Sequence, residues 1–267
     1  MRPEASQQNR HEHFRVPVHI FPDDERVSSA DYRAVMDSGY VSSVSTLSGA
    51  VESFGVNCDE ETIERWRRIG ASAGLLDDFL DDSPNRELAL GLYIRGVSGD
   101  GTVASEMPEW GDPRLPAALL LLKNSTSTLP HDQVGRMRHS ALAIGELSRA
   151  KALCDDASAY IDLLRAEAWH TAALVHESTS AAMQNTPGFD HFVVWVHRAL
   201  ELGTLYDSSR DIKADATENR TAITPSVINC MRIALSARSP LFLLLRDQKH
   251  RRAARASLWS RIKHQNL

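Results

Sequence analysis

The stretch EETIERWRRIGASAGLLDDFLDD, residues 60–82, decides how the rest of the chain is read. Its apolar positions Ile63, Trp66, Ile69, Ala73 and Leu76 recur every three or four residues, the period of a helix with one buried face. Asn57-Cys58-Asp59-Glu60 supplies polar residues for its start, and Ser83-Pro84-Asn85 ends it, because proline removes a backbone donor and clashes with the preceding turn. The helix closes on four aspartates in six residues, Asp77, Asp78, Asp81 and Asp82. On a helix Asp77 and Asp81 share one face, and so do Asp78 and Asp82. Four carboxylates repel one another there, and the helix dipole disfavours negative charge at a C-terminus. A solvated acidic face is the plain alternative. Divalent cations reverse the local field and justify the arrangement, and oxygen-only ligands suit Mg²⁺.

Working outward, the composition is that of a helical protein. Alanine (31) and leucine (29) make up about a fifth of the 267 residues, whereas glycine and proline together number 25. Sandwiches and barrels need more turn chemistry and more β-branched alternation, and no glycine-rich phosphate loop is present. After a Pro-bearing irregular arm over residues 1–27, helical patterns run from about 28 to the C-terminus as one domain. They are expected from Ser28, over 60–82, 87–97, near 116–127, and over 131–151, 155–185, 189–218 and 225–239, with a last helix after Pro240 through Arg261. Gly99-Asp100-Gly101 and 107–116 read as loops. The expectation is an all-α, single-domain bundle of residues 28–267 with a central apolar cavity.

The second acidic signal is Asp207-Ser-Ser-Arg210-Asp211-Ile-Lys-Ala-Asp215. Acids at i, i+4 and i+8 drift by about 40° per step and share a helix face. The preceding turns (Phe189, Phe192, Val193, Val196, Ala199, Leu200, Leu205) are apolar enough to bury the helix and carry the acids to a cavity mouth. Arg210, Lys213 and Arg220 place positive charge beside them.

Together, the two acidic motifs in an all-α chain resemble the class I isoprenoid synthase superfamily. Asp77–Asp81 is similar to the D-D-x-x-D of trans-prenyltransferases and terpene synthases. Asp207, Arg210, Asp211 and Asp215, followed by Arg220 and Pro225, are similar to the second motif of squalene and phytoene synthases. The likeness spans about 60–225. It implies three Mg²⁺ ions held between the clusters and the diphosphate of an allylic prenyl substrate, with Asp77, Asp81 and Asp211 central to ionisation and Asp78, Asp82, Asp207 and Asp215 completing the metal-binding set. It further implies Arg210, Arg220 and Arg165 as diphosphate contacts. Trp66, Phe79, Tyr93, Trp169, Phe192 and Trp195 become cavity aromatics that stabilise cations through their π-faces, although such a residue taken singly is more often core than cavity wall. The chain departs from chain-elongating enzymes in lacking an N-terminal G-K-x-x-R element, since residues 1–57 contain no lysine, and in offering one arginine, Arg86, behind the first motif. The implied activity is a Mg²⁺-dependent terpene synthase that ionises and cyclises a C15 or C20 prenyl diphosphate. A prenyltransferase that couples the cation to a second prenyl diphosphate or another acceptor is the alternative, and a non-catalytic helical binding protein is a third reading.

The formal net charge of −5 argues against a nucleic-acid partner. It is uneven: residues 246–263 carry seven Lys/Arg and one Asp, leaving −11 for the remainder. That basic helix reads as a lid over the diphosphate, a contact with an anionic membrane or nucleic acid, or a solvated helix end favoured by the dipole. Three scattered cysteines (Cys58, Cys154, Cys230) make no disulfide framework or zinc site. The first residues show no apolar leader, so a cytoplasmic protein is expected, and a homodimer is left open.

Overall fold

The computed structural model describes residues 39–99, 114–218 and 220–265. The expected arm 1–27, the helix start at Ser28 and most of the 107–116 loop lie outside these residues. All regular structure among the described residues is α-helical. In chain order the helices are α1 (Gly39–Glu52), α2 (Glu60–Asp82), α3 (Arg86–Ser98), α4 (Arg114–Thr126), α5 (His131–Leu153) and α6 (Ala157–Glu177). They continue with α7 (Ala181–Gln184), α8 (Phe189–Thr217), α9 (Val227–Ser236), α10 (Arg238–Arg246) and α11 (Gln248–Gln265).

The decisive stretch is helical over the expected range. Asp59 caps it by accepting from the Thr62 amide at 2.6 Å, satisfying one of the orphan donors of the first turn. Two expectations are corrected. The single helix expected over 155–185 ends at Glu177, because Ser178, Thr179 and Ser180 turn their hydroxyls onto local backbone: Ser178 Oγ donates to Val175 O, Thr179 Oγ1 donates to His176 O, and Ser180 Oγ accepts from Met183 N. The break expected at Pro240 falls at Ala237 instead. Pro240 is then the third residue of α10, within the first turn, where a missing backbone donor costs little.

Six helices pack edge to edge in a closed ring, α1–α2–α3–α5–α6–α8 and back to α1. α4 covers α2, α9 and α10 lie along α8, and α11 packs on α1. Their directions follow from pairs along their length. Tyr160 meets Ser208, Arg165 meets Glu201, and His176 meets Phe189, so α6 and α8 are antiparallel. At the start of α2, Trp66 Nε1 donates to Val175 O and Arg65 Nη1 donates to Ser178 O, both at the end of α6. Beyond the other end of α2, Arg86 acts on Asp215 near the end of α8, so α2 also opposes α6 and runs parallel to α8.

The interior at the α2/α8 starting end is aromatic. Phe192 lies 6.0 Å from Trp66, 6.1 Å from Phe54, 6.2 Å from Phe189 and 6.5 Å from Trp195, centroid to centroid. Toward the other end Phe79 packs with Leu92, Tyr93 and Ala141. Gly145 of α5 lets α3 approach closely: a Cβ there would stand 2.7 Å from Tyr93 Cε1.

Candidate functional site

Parallel α2 and α8 carry both acidic segments to one end of the ring. Counted from the stacked Trp66–Phe192 pair, Asp77–Asp82 lie about 17–24 Å along α2 and Asp207–Asp215 about 23–35 Å along α8. The turn after α2, the start of α3 and the end of α5 occupy the same end, because α3 packs on α5 and α5 on α6.

In the first segment Asp77, Asp78 and Asp82 are exposed and Phe79 between them is buried. The side chain of Asp81 lies outside the described residues. Partial burial, with Asp77 and Asp82 alongside, holds the Asp78 carboxyl above its usual range despite Arg114. Arg114 straps this helix end: its Nη1 donates to Asp78 O at 2.9 Å and to Asp82 Oδ2 at 2.5 Å. Because Asp78 O lies near the C-terminal end of α2, a cation placed there answers the helix dipole.

In the second segment Asp207 is exposed, while Asp211 and Asp215 are half-buried. Arg210 folds onto its neighbour, with Nε and Nη2 donating to Asp211 at 2.9 and 3.2 Å. Burial, with Asp211 nearby, pushes the Asp215 carboxyl up even though Arg220, Lys151 and Arg86 all pull it down. Arg220 donates from Nη2 to Glu218 at 2.7 Å, and its backbone amide donates to Asp215 O. Tyr160 of α6, hydrogen-bonded to Ser208 and Thr221, is pushed up to about 12 by burial, Asp215 and Glu167.

Arg86, at the start of α3, joins the two segments. It stands four residues beyond Asp82 in the chain, yet its field reaches Asp215. Its Nη2 donates to Ser148 Oγ at 3.2 Å, whereas Nε and Nη1 are shut off from solvent with no hydrogen-bond partner among the described residues. A guanidinium with two nitrogens unpartnered among the described residues, close to both acidic segments, can donate to the oxygens of an anion. In the sequence Arg86 registers only as the arginine behind the first motif; its electrostatic reach to Asp215 needs α3 to pack on α5. Lys151, which grips Glu167 of α6 at 2.5 Å, adds a second cation that the sequence did not single out.

The other expected residues separate into groups. Trp66, Phe79, Tyr93, Phe192 and Trp195 are all buried and belong to the packed interior. Trp169 does not join them: it is 61% exposed and stacks on His197 at 4.2 Å. Arg165 bonds Glu201 at 3.2 Å and lies near Asp162 at 3.4 Å. It is level with the middle of α8, below the acids. The cysteines are all free, and burial with Asp59 nearby raises the Cys58 thiol to about 12.

The donor set fits magnesium in kind. It is oxygen-only and anionic, and burial with neighbouring carboxylates holds two of its members, Asp78 and Asp215, above their ordinary range. Among the described residues no three carboxylates, imidazoles or thiols converge closely enough to enclose a metal alone. Mg²⁺ commonly retains waters and shares substrate phosphate oxygens, so full enclosure by protein is not required. The chain matches no family model, no curated protein and no solved structure.

Proposed function

We propose that this protein is a class I isoprenoid synthase that ionises an allylic prenyl diphosphate, C15 or C20, with Mg²⁺, and cyclises or quenches the resulting cation. The observation that carries the reading is the placement of both acidic segments at one end of a helical ring, around the unmet donors of Arg86. Asp77, Asp78, Asp81 and Asp82 would hold metal on one side, and Asp207, Asp211 and Asp215 on the other. Magnesium there would supply Lewis-acid neutralisation of the departing diphosphate.

The chain's own groups have separate tasks in this scheme. Arg86 directs Nε and Nη1 at diphosphate oxygens, and Arg220 sits beside Asp215 to add charge. Arg210 can exchange Asp211 for the leaving group, because its present partner is an exposed neighbour and such exposed pairs are weak. Fixed donors aimed at oxygens where charge develops lower the barrier more than they strengthen ground-state binding. Below them the aromatic interior around Trp66, Phe79, Tyr93, Phe192 and Trp195 offers π-faces and excludes water from a cation that water would quench. A central cavity able to admit the prenyl chain is part of the proposal.

A second reading, coupling to another prenyl diphosphate, is favoured by Asp207-x-x-Arg210-Asp211-x-x-x-Asp215, whose pattern is similar to that of squalene and phytoene synthases. The deciding experiment incubates the protein with Mg²⁺ and geranyl, farnesyl or geranylgeranyl diphosphate, each alone and then with a co-substrate. Products are read by gas chromatography–mass spectrometry and diphosphate release is followed. Product from a single diphosphate establishes the cyclase reading; product only with a co-substrate establishes coupling. Asp77→Ala and Asp211→Ala are each expected to lower Mg²⁺-dependent release by about 100-fold or more. If neither variant changes turnover, or no diphosphate is released with Mg²⁺, the synthase reading fails.

A further inference from the structure

We infer that the outer face of α9 and α10, with the arginines around it, is a docking surface for an anionic lipid bilayer. On α9, Val227 (75%), Ile228 (65%), Met231 (55%) and Leu235 (43%) are exposed; on α10, Leu241 (42%), Phe242 (64%) and Leu245 (50%) are. Residues 228, 231, 235, 238, 242 and 245 follow steps of three and four. Ala237 between the helices keeps helical torsions (φ −68°, ψ −13°), so this spacing runs as one stripe along both. The opposite side is seated on the body through Ile233, Ala237, Pro240 and Leu244. An exposed apolar stripe of this kind, interrupted only by Arg238 at its middle, marks an interaction site rather than ordinary surface scatter.

Charge identifies the occupant. Arg232, Arg238, Arg246, Lys249, Arg251, Arg252 and Arg255 are all exposed, and Asp247 is the one acid between residues 227 and 255. None of the seven has an ion-pair partner among the described residues. Asp247 is occupied as the cap of α11, accepting from the Lys249 and His250 amides. Apolar side chains beside unpaired arginines and lysines match the layered chemistry of an acidic membrane surface: acyl boundary for the stripe, headgroup phosphates for the rim. A second copy pairing through the same face would oppose net charges of about +6, a repulsion that charge-rich interfaces avoid.

The segment lies on the bilayer rather than across it. Val227–Arg246 is long and apolar enough to span a membrane by length and composition. It nevertheless carries Arg232 and Arg238 within its length, and its inner side is packed against α6 and α8. A spanning helix would surrender that packing and bury both arginines in hydrocarbon, each at high cost.

The test is flotation of the full chain with vesicles of phosphatidylcholine alone and of phosphatidylcholine with one quarter phosphatidylglycerol. Binding is expected to the acidic vesicles and not to the neutral ones, falling about 10-fold or more between 0.1 and 0.5 M salt. Phe242→Ser with Leu245→Ser, and separately Arg232→Glu with Arg238→Glu, are each expected to weaken it by about 5-fold or more. All four side chains are exposed, so folding is preserved, and circular dichroism checks this. The inference is overturned if neither vesicle binds, if neutral vesicles bind equally, if the variants bind as the parent does, or if sedimentation shows a dimer that Phe242→Ser dissolves. It is independent of the diphosphate chemistry, since the readout requires no turnover.

Discussion

Asp215 shows how much a single carboxylate can report. Its partially buried carboxyl is held above the ordinary value of 3.8 despite three nearby cations, because burial and Asp211 outweigh them. The folded protein therefore binds this proton more tightly than the unfolded chain does. Stability falls as pH rises from about 3.8 through the raised folded value, and the loss persists at neutral pH. Asp215→Asn is accordingly expected to raise Tm at pH 7, with the difference from the parent vanishing below 3.8. Thermal unfolding followed at both pH values checks this, and a lower Tm at pH 7 would count against it. On the proposed synthase reading, a variant that stabilises the fold and lowers Mg²⁺-dependent turnover is the signature of a group kept for its charge. Asp207, Asp211 and Asp215 were legible as a set from spacing alone, because a helix puts i, i+4 and i+8 on one face. Arg86 was not, because nothing in a linear pattern says which donors go unmet.

Among the elements, α8 depends most on one residue at its start. Gly188 precedes the helix with φ +98°, a conformation that L side chains rarely adopt, and an added Cβ would stand 2.3 Å from the Phe54 carbonyl oxygen, far closer than van der Waals contact allows. Phe54 follows α1, so the close approach locks the entry of α8 onto the α1 corner. Gly188→Ala combines left-handed strain with a backbone clash and should cost roughly 2–4 kcal/mol. Urea denaturation measures it; a change below about 1 kcal/mol would show that the corner relaxes. The sequence marked Thr186-Pro187-Gly188 as a break because its residue types punctuate helices. It missed the break after Glu177, where Ser178, Thr179 and Ser180 act through local side-chain bonds that residue identity signals only weakly.

For the whole molecule, the ring holds its shape through contacts between helices distant in sequence. Phe192 is the hub, 1% exposed and ringed by Phe54, Trp66, Phe189 and Trp195 from α8 itself, α2 and the α1 corner. Phe192→Ala should cost about 3–5 kcal/mol in denaturant unfolding, from lost burial plus the void left behind. A cost under about 2 kcal/mol would mean that the hub collapses around the gap and that the α2–α8 spacing is softer than its packing indicates. Arg65 secures the same end: it is 4% exposed and donates to Ser178 O at 2.7 Å and to Glu61 at 2.6 Å, joining the α2 start to the α6 end.

By itself the sequence determined the helical class, the extent of α2 and α8 and the faces on which their acids lie. These depend on local periodicity, caps and breakers, which act within a few residues. Tertiary structure alone decided that α2 and α8 run parallel, so that both acidic segments share one end. It also decided that the charge of Arg86 acts on Asp215, that Trp169 stays on the surface, and that α9 and α10 turn apolar side chains outward. These outcomes rest on packing between segments from a few tens to more than a hundred residues apart, such as Trp169 against His197 and Trp66 against Val175 and Phe192, and burial across such separations leaves no local pattern to read.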